Sequence, residues 1–287
     1  TLLFLIFWAF GYSQDAHFSQ YNNSRLCTNP ALTGSDSTFV ISDNARLQWP
    51  KYYTGYRSIS ISADKYFRGI RGGLGLNILR DNEFKIISSF RLELNYAPHF
   101  ELFHHKLVVQ PGFQIAYNQK SIDWSQVTFG DMIDPRRGFV YSSNDIPGVS
   151  KKAFIDLSAG LLIYNKYFWA GIAVHHLTQP DEGLVYTSKL PVKFTGHAGA
   201  TIPLGGKGSE ASISPNIIYQ KQHDFQQLNI GCYFQKNAIV GGLWYRNNDS
   251  FIVLVGVEKG VFKMGYSYDV TISKLTNATA GSHELSV

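Results

Sequence analysis

The sequence predicts an all-β fold, a transmembrane antiparallel β-barrel of about fourteen strands and of the outer-membrane type. Three observations predict it. Runs of about ten residues alternate apolar and polar side chains, which places one set on each face of a sheet. Aromatic residues make up 15% of the chain and glycines number 26, while hydrophobic residues reach only 44%. That combination suits a barrel in which alternate residues face lipid, aromatic girdles mark the interfaces and glycine relieves bends. The breaks between runs alternate short and long, as periplasmic turns and outer loops do. A soluble sandwich would share the alternation, so the three observations count together.

The clearest stretch runs from residue 210 to 269 and reads as five consecutive strands. Leu228, Ile230, Cys232 and Phe234 form one face of a strand, and Asn229, Gly231 and Tyr233 the other. The pattern restarts after Lys236-Asn237, after Asn247-Asn248-Asp249 and after Glu258-Lys259-Gly260, all hairpin signals. Such a meander must close on itself or be covered, because an open edge leaves backbone groups unpaired.

Taken in order, the chain begins with the apolar run Thr1 to Phe10, too short to span a bilayer as a helix. With Gly11 to Gln14 after it, it reads as residues 1–14 of a secretory signal peptide that lacks its first residues. No cysteine follows directly, which argues against a lipoprotein anchor. Residues 15–37 are too polar and too proline-interrupted to span. They read as a periplasmic segment that tethers the barrel, contacts other components or enters its mouth.

Motifs in this region and beyond it carry a resemblance. Residues 14–21 read QDAHFSQY and residues 29–34 read NPALTG, and a first strand ends near Arg46 to Pro50. Phe129-Gly130-Asp131 lies in a long middle loop, His176 to Pro180 follows a strand, and Gly281 to Glu284 lies near the end. In this order the motifs resemble the PorP/SprF family of the type IX secretion system of Bacteroidetes, over essentially the whole chain. Ala16 departs from it, where the family more often has proline. The short last strand ending at Val287 reads as a truncated terminus. The resemblance implies a non-enzymatic outer-membrane barrel. It would assist the secretion or surface attachment of partners such as gliding adhesins, through an adhesin's C-terminal domain or through other secretion components.

The barrel, residues 38–287, reads as strands 38–48, 54–66, 70–80, 85–98, 105–119, 153–164, 166–176, 192–203, 210–222, 225–236, 238–248, 250–259, 261–269 and 281–287. The even count agrees with single-chain bacterial barrels. Ile59 and Ile61 should face lipid and Ser58, Ser60 and Ser62 the lumen. Phe90, Leu92, Leu94 and Tyr96 should point outward, and Arg91, Glu93 and Asn95 inward.

Composition excludes several functions. The net charge of +5 is scattered along the chain and forms no basic stripe for nucleic acid. Cys27 and Cys232 make no metal motif, though a disulfide between them is open. His104-His105 falls in a turn, and His175-His176 ends a strand, where neighbours point to opposite faces, so neither pair is a ready chelate. No nucleophile elbow accompanies Ser282-His283-Glu284, so no catalytic residue, metal or cofactor is expected.

The irregular stretch 121–152 is long enough to be functional. It combines Trp124, Phe129, Met132, Phe139 and Tyr141 with Asp131, Asp134, Arg136 and Arg137, a mixture typical of binding hot spots. It should plug the lumen, pack on the rim or dock a partner. For docking, Trp124, Phe129, Asp131, Arg136 and Arg137 are the expected anchors, with 177–191 as a second loop. The alternative function is a channel for small solutes, which needs an open lumen.

Overall fold

A computed structural model describes residues 15–287 apart from 37, 52–54, 104–105, 128, 135, 144–147, 206–210 and 273–279. The signal-peptide reading of residues 1–14 and the His104-His105 pair lie outside the described residues. The chain forms a closed antiparallel barrel of 14 strands. These are β1 (Val40–Gln48), β2 (Tyr56–Phe67), β3 (Gly72–Glu83), β4 (Ile87–Pro98), β5 (Leu107–Ile122), β6 (Lys151–Tyr164) and β7 (Phe168–His175). There follow β8 (Lys193–Ala200), β9 (Ala211–Gln222), β10 (Phe225–Lys236), β11 (Ile239–Arg246), β12 (Ser250–Lys259), β13 (Phe262–Thr271) and β14 (Ser282–Ser286). Phe100–Leu102 continues β4 along β5, and Ile202–Leu204 continues β8 along β9.

Each strand pairs with its sequence neighbours. The ring closes where β1 meets β14, from Asn44 opposite Ser286 to Gln48 opposite Ser282. Closure removes the sheet edge, which no lipid could hydrogen-bond. All the strands expected from alternation are present, within a few residues of their expected ends.

The faces divide as the period of two requires. Ile59 and Ile61 are about half exposed, while Ser58, Ser60 and Ser62 are buried. Leu94 points outward and Glu93 and Asn95 inward. The long connections 123–150 and 176–192 leave one end of the barrel, the long-loop end. Turns such as 68–71, 237–238 and 260–261 close the other. Asn237 and Gly260 take positive φ in their turns, Asn because it tolerates that region and Gly because it lacks a Cβ.

Residues 15–34 occupy the lumen. From Phe18 to Gln20 the chain is almost completely buried, as are Leu26, Asn29, Ala31 and Thr33. A single helical turn, Arg25–Thr28, and a 3-10 turn, Pro30–Leu32, make the segment compact. Where the sequence left these residues in the periplasm or at the mouth, the structure threads them through the barrel. Thr33 and Gly34 lie at the short-turn end and Asp15 near the long-loop end. The wall makes room for them with inward-facing glycines. A Cβ on Gly73 would lie 2.2 Å from the Thr33 carbonyl oxygen. One on Gly112 would lie 2.2 Å from the Ala31 nitrogen, and one on Gly160 2.0 Å from Asn29 Oδ1. On the opposite wall, Tyr21 packs against Trp244, with Ile218, Tyr233, Ile252 and Leu254 beside them. Gly231 leaves the space that the Trp244 ring fills.

Candidate functional site

The lumen segment is held at three places. Toward the long-loop ends of β1, β11, β13 and β14, Ser19 sits among four charges contributed by those strands. Its hydroxyl donates to Asp269 at 2.7 Å and accepts from Arg46 at 2.6 Å and from Arg246 at 2.8 Å. Glu284 accepts from the backbone nitrogens of Ser19 and Gln20, at 2.6 and 3.0 Å. Arg46 also pairs with Asp269 at 2.8 Å and with Glu284 at 3.2 Å, and Arg246 with Asp269 at 3.0 Å. All four wall residues are buried. Two arginines against two carboxylates leave no net charge, and charge-assisted hydrogen bonds offset the desolvation.

Toward the short-turn end, Asn29 donates from its amide nitrogen to the carbonyls of Ile172 and Leu161, at 3.1 and 3.3 Å. Its Oδ1 accepts from the Ala31 nitrogen, capping the turn that Pro30 begins. Gln110 donates to the Thr33 carbonyl at 2.6 Å, and the Gly34 nitrogen donates to Asp64 at 2.7 Å. Arg25 bridges Asp64 and Asp36.

At the long-loop end, Asp15 is gripped by three cationic groups. Its Oδ1 lies 3.1 Å from Arg91, and its Oδ2 lies 2.8 Å from His176 Nε2 and 3.5 Å from Lys193. His176 Nδ1 faces Asp156 at 2.6 Å, and Thr178 donates to the same carboxylate. The sequence placed His175 and His176 on opposite faces of a strand. The structure corrects this: β7 ends at His175, and His176 takes a left-handed backbone, φ 60, which turns both rings into the lumen. Among the described residues no cluster could hold a metal ion.

Burial works against a charged His176, but Asp15 and Asp156 outweigh it and raise its pKa above the ordinary value. Burial likewise opposes ionised Asp15, and His176, Arg91 and Lys193 outweigh it and hold its pKa well below the usual range. A raised His176 pKa gives stability that is complete below about 6.5 and is lost as pH rises through the folded value. A depressed Asp15 pKa gives stability that is present above about 3.9 and is lost as pH falls through the folded value. The stability advantage of wild type over His176→Gln should therefore be widest between these limits and shrink at higher pH. Melting both proteins across that range checks it, and a constant difference would contradict it.

The long loop takes a different form from the lumen segment. Trp124 and Phe129 stack on each other at 6.3 Å and are partly buried within the loop, so they form its own small core. Asp131 accepts from Ser143. Asp134 accepts from the backbone nitrogens of Arg136 and Arg137, both at 2.8 Å, and from the Tyr141 hydroxyl. The Arg136 nitrogen leads the groups that hold the Asp134 carboxyl below its usual range. Arg136 and Arg137 thus stand adjacent and exposed at a braced tip. The second loop is tied to the barrel where Lys152 meets Asp181 at 2.5 Å. With the Ser188 and Gly183 nitrogens, that lysine brings Asp181 down to about 2. The two loops meet where the Val149 nitrogen donates to the Leu184 carbonyl. Beside that contact Val149, Val185 and Tyr186 are exposed. Of the five expected anchors, Trp124 and Phe129 stack on each other within the loop, and Asp131, Arg136 and Arg137 are exposed.

Alternation finds wall residues, so it missed Ser19, Gln20 and Asn29, which belong to no periodic run. A signal was present in the inward glycines of neighbouring strands, which leave room for something else. Both cysteines are free: Cys27 lies in the lumen segment against Ser60 and Asn77, and Cys232 lies in the β10 wall.

A polar-lined, lumen-filled antiparallel barrel with apolar outer faces is the architecture of a membrane β-barrel. The chain belongs to the PorP/SprF family, type IX secretion system membrane proteins, whose model matches residues 10–287. No curated protein matches it in sequence. Among solved structures it is similar to a mutant porin of Rh. blastica, with 6% identity over 87% of this chain and 98% of that one and a TM-score of 0.34. Several of the motifs that carry the family resemblance meet at the lumen contacts, whereas Phe129-Gly130-Asp131 stays in the long loop. Ser19 and Gln20 bind Glu284, Asn29 and Thr33 bind the wall glycine zone, and His176 and Thr178 hold the Asp15 end.

Proposed function

We propose that the chain is a non-enzymatic, plugged outer-membrane barrel of type IX secretion. It would act as a docking scaffold and not as a conduit. The observation that carries this reading is the filled lumen, where a hydrogen-bonded segment takes the path a solute would need. The work then falls to the long-loop end. Exposed Arg136 and Arg137 on a braced tip, and exposed Val149, Val185 and Tyr186 where the two loops meet, suit a partner bearing carboxylates and apolar groups. The partner in this reading is a secreted surface protein, such as a gliding adhesin, or a neighbouring secretion component.

A pull-down of the tagged barrel from outer membranes in mild detergent tests it, with mass spectrometry of what is retained. Recovery of a large surface protein or of secretion components is expected. A barrel that comes out alone and conducts ions would favour the channel reading instead. Reversing both tip charges, Arg136→Glu with Arg137→Glu, should lower partner recovery about tenfold or more, since close charge pairs contribute on the order of 1.5 kcal/mol or more. The barrel should keep its melting behaviour, because both side chains are exposed. Unchanged recovery would remove the tip from the docking surface.

A further inference from the structure

The cage around Asp15 has the features of a binding site already filled by the chain itself. Arg91, His176 and Lys193 come from three separate elements and converge on one carboxylate. His176 is about 1% exposed and is held from behind by Asp156. Asn118 adds an unused donor. Its Oδ1 accepts from Arg91 Nε at 2.8 Å, while its amide nitrogen, buried next to the cage, has no partner in the protein. Beyond the cage, the occupant is held only through its backbone nitrogen, which donates to Gln222 at 3.2 Å. Residues 15–17 are partly exposed, and full burial begins at Phe18. The Ser19 clamp lies four residues on, so Asp15 can leave while the clamp stays closed.

Two clefts reach the carboxylate. One carries Asp81, Glu83 and Glu182 against Lys120 and Arg91, an unfavourable path for an anion. The other is lined by His17, Lys193, Lys221 and Gln222, with Asp15 its sole carboxylate. This cleft has room for about one water, so an anion enters it as Asp15 moves out, passing Lys221 at the outer rim and Lys193 within.

We propose that Arg91, His176 and Lys193 form a carboxylate-binding site at the long-loop end of the lumen. Asp15 is its resident intramolecular ligand, and an acidic peptide entering by the Lys193–Lys221 cleft takes its place. Exchange of one carboxylate for another conserves the charge balance of the cage, so the buried cations are never left unpaired. The site lies below the loops and does not require that they dock a partner.

Chemical rescue tests the cage. In detergent, Asp15→Ala should melt below wild type, and millimolar sodium acetate should restore most of the loss, whereas sodium chloride at equal ionic strength should not. Asp15→Ala with Arg91→Met should gain nothing from acetate. Failure of acetate to act on Asp15→Ala would overturn the site. Displacement is tested on the chain with its own Asp15 in place. A thiol reagent is applied to Ala16→Cys in the Cys232→Ser background, with and without a glutamate-rich peptide. The acidic peptide should raise the labelling rate several-fold, and its glutamine counterpart should leave it unchanged. Equal rates with both peptides would overturn displacement, even if acetate fills the emptied cage.

Discussion

Deleting residues 15–36 is expected to turn a closed barrel into a conducting one. In planar bilayers the intact chain should show little current, and the deletion variant should give discrete, long-lived openings. Phe18, Ser19, Gln20, Leu26, Asn29 and Ala31 are buried inside the ring. Their loss leaves a polar-walled cavity that water and ions can enter. The deletion also strips Ser19 from its four charges, so a milder variant separates pore opening from misassembly. Gly112→Leu keeps every plug residue but drives a side chain into Ala31, where even a Cβ would sit 2.2 Å from the backbone nitrogen. Because the obstacle is backbone, the plug must shift, and intermittent conductance is expected with the barrel otherwise assembled. If both variants stay as closed as wild type, the lumen segment is not what seals the barrel.

The second large effect is expected at Glu284. Glu284→Ala leaves the Ser19 and Gln20 nitrogens without their acceptor and leaves Arg46 to share Asp269 with Arg246. Breaking a buried ion network from one side costs about 3–5 kcal/mol, because the remaining charge stays buried without compensation. The heat-induced mobility shift that distinguishes folded from unfolded barrels should therefore fall by several degrees. Glu284→Gln keeps one carbonyl acceptor and should lose less. Equal losses for the two variants would mean that the charge, and not a neutral hydrogen-bond acceptor, holds the segment. No loss in either would mean that the network contributes nothing to stability.

The wall was legible in the sequence because a strand writes its environment into every second residue. Ser58, Ser60 and Ser62 alternate with Ile59 and Ile61, and nothing distant has to be known to read them. The plug was not legible. Phe18 to Gly34 has no period, and its meaning lies in complementarity with Gly73, Gly112, Gly160, Arg46 and Glu284, far away along the chain. His176 was misread because one left-handed residue cancels the alternation rule at the strand end. In the long loop, composition identified the aromatic and charged residues. It could not show that Trp124 turns toward Phe129, which leaves Arg136 and Arg137 at the surface.

The Ser19 clamp also bears on the order of assembly. Ser19 precedes every strand of the barrel, and Glu284 is 265 positions later. Gln20 and Asn23 reach Glu284 and Ser286 on β14, and Arg46 on β1 reaches across the same seam. The first segment therefore cannot lock until the last strand is in place. Once locked, it staples the joint that the five-residue β14 closes with few backbone bonds of its own. Contacts this distant form late. The segment thus works as a completion signal: a barrel arrested before its final strand leaves its beginning loose, visible to whatever inspects unfinished chains.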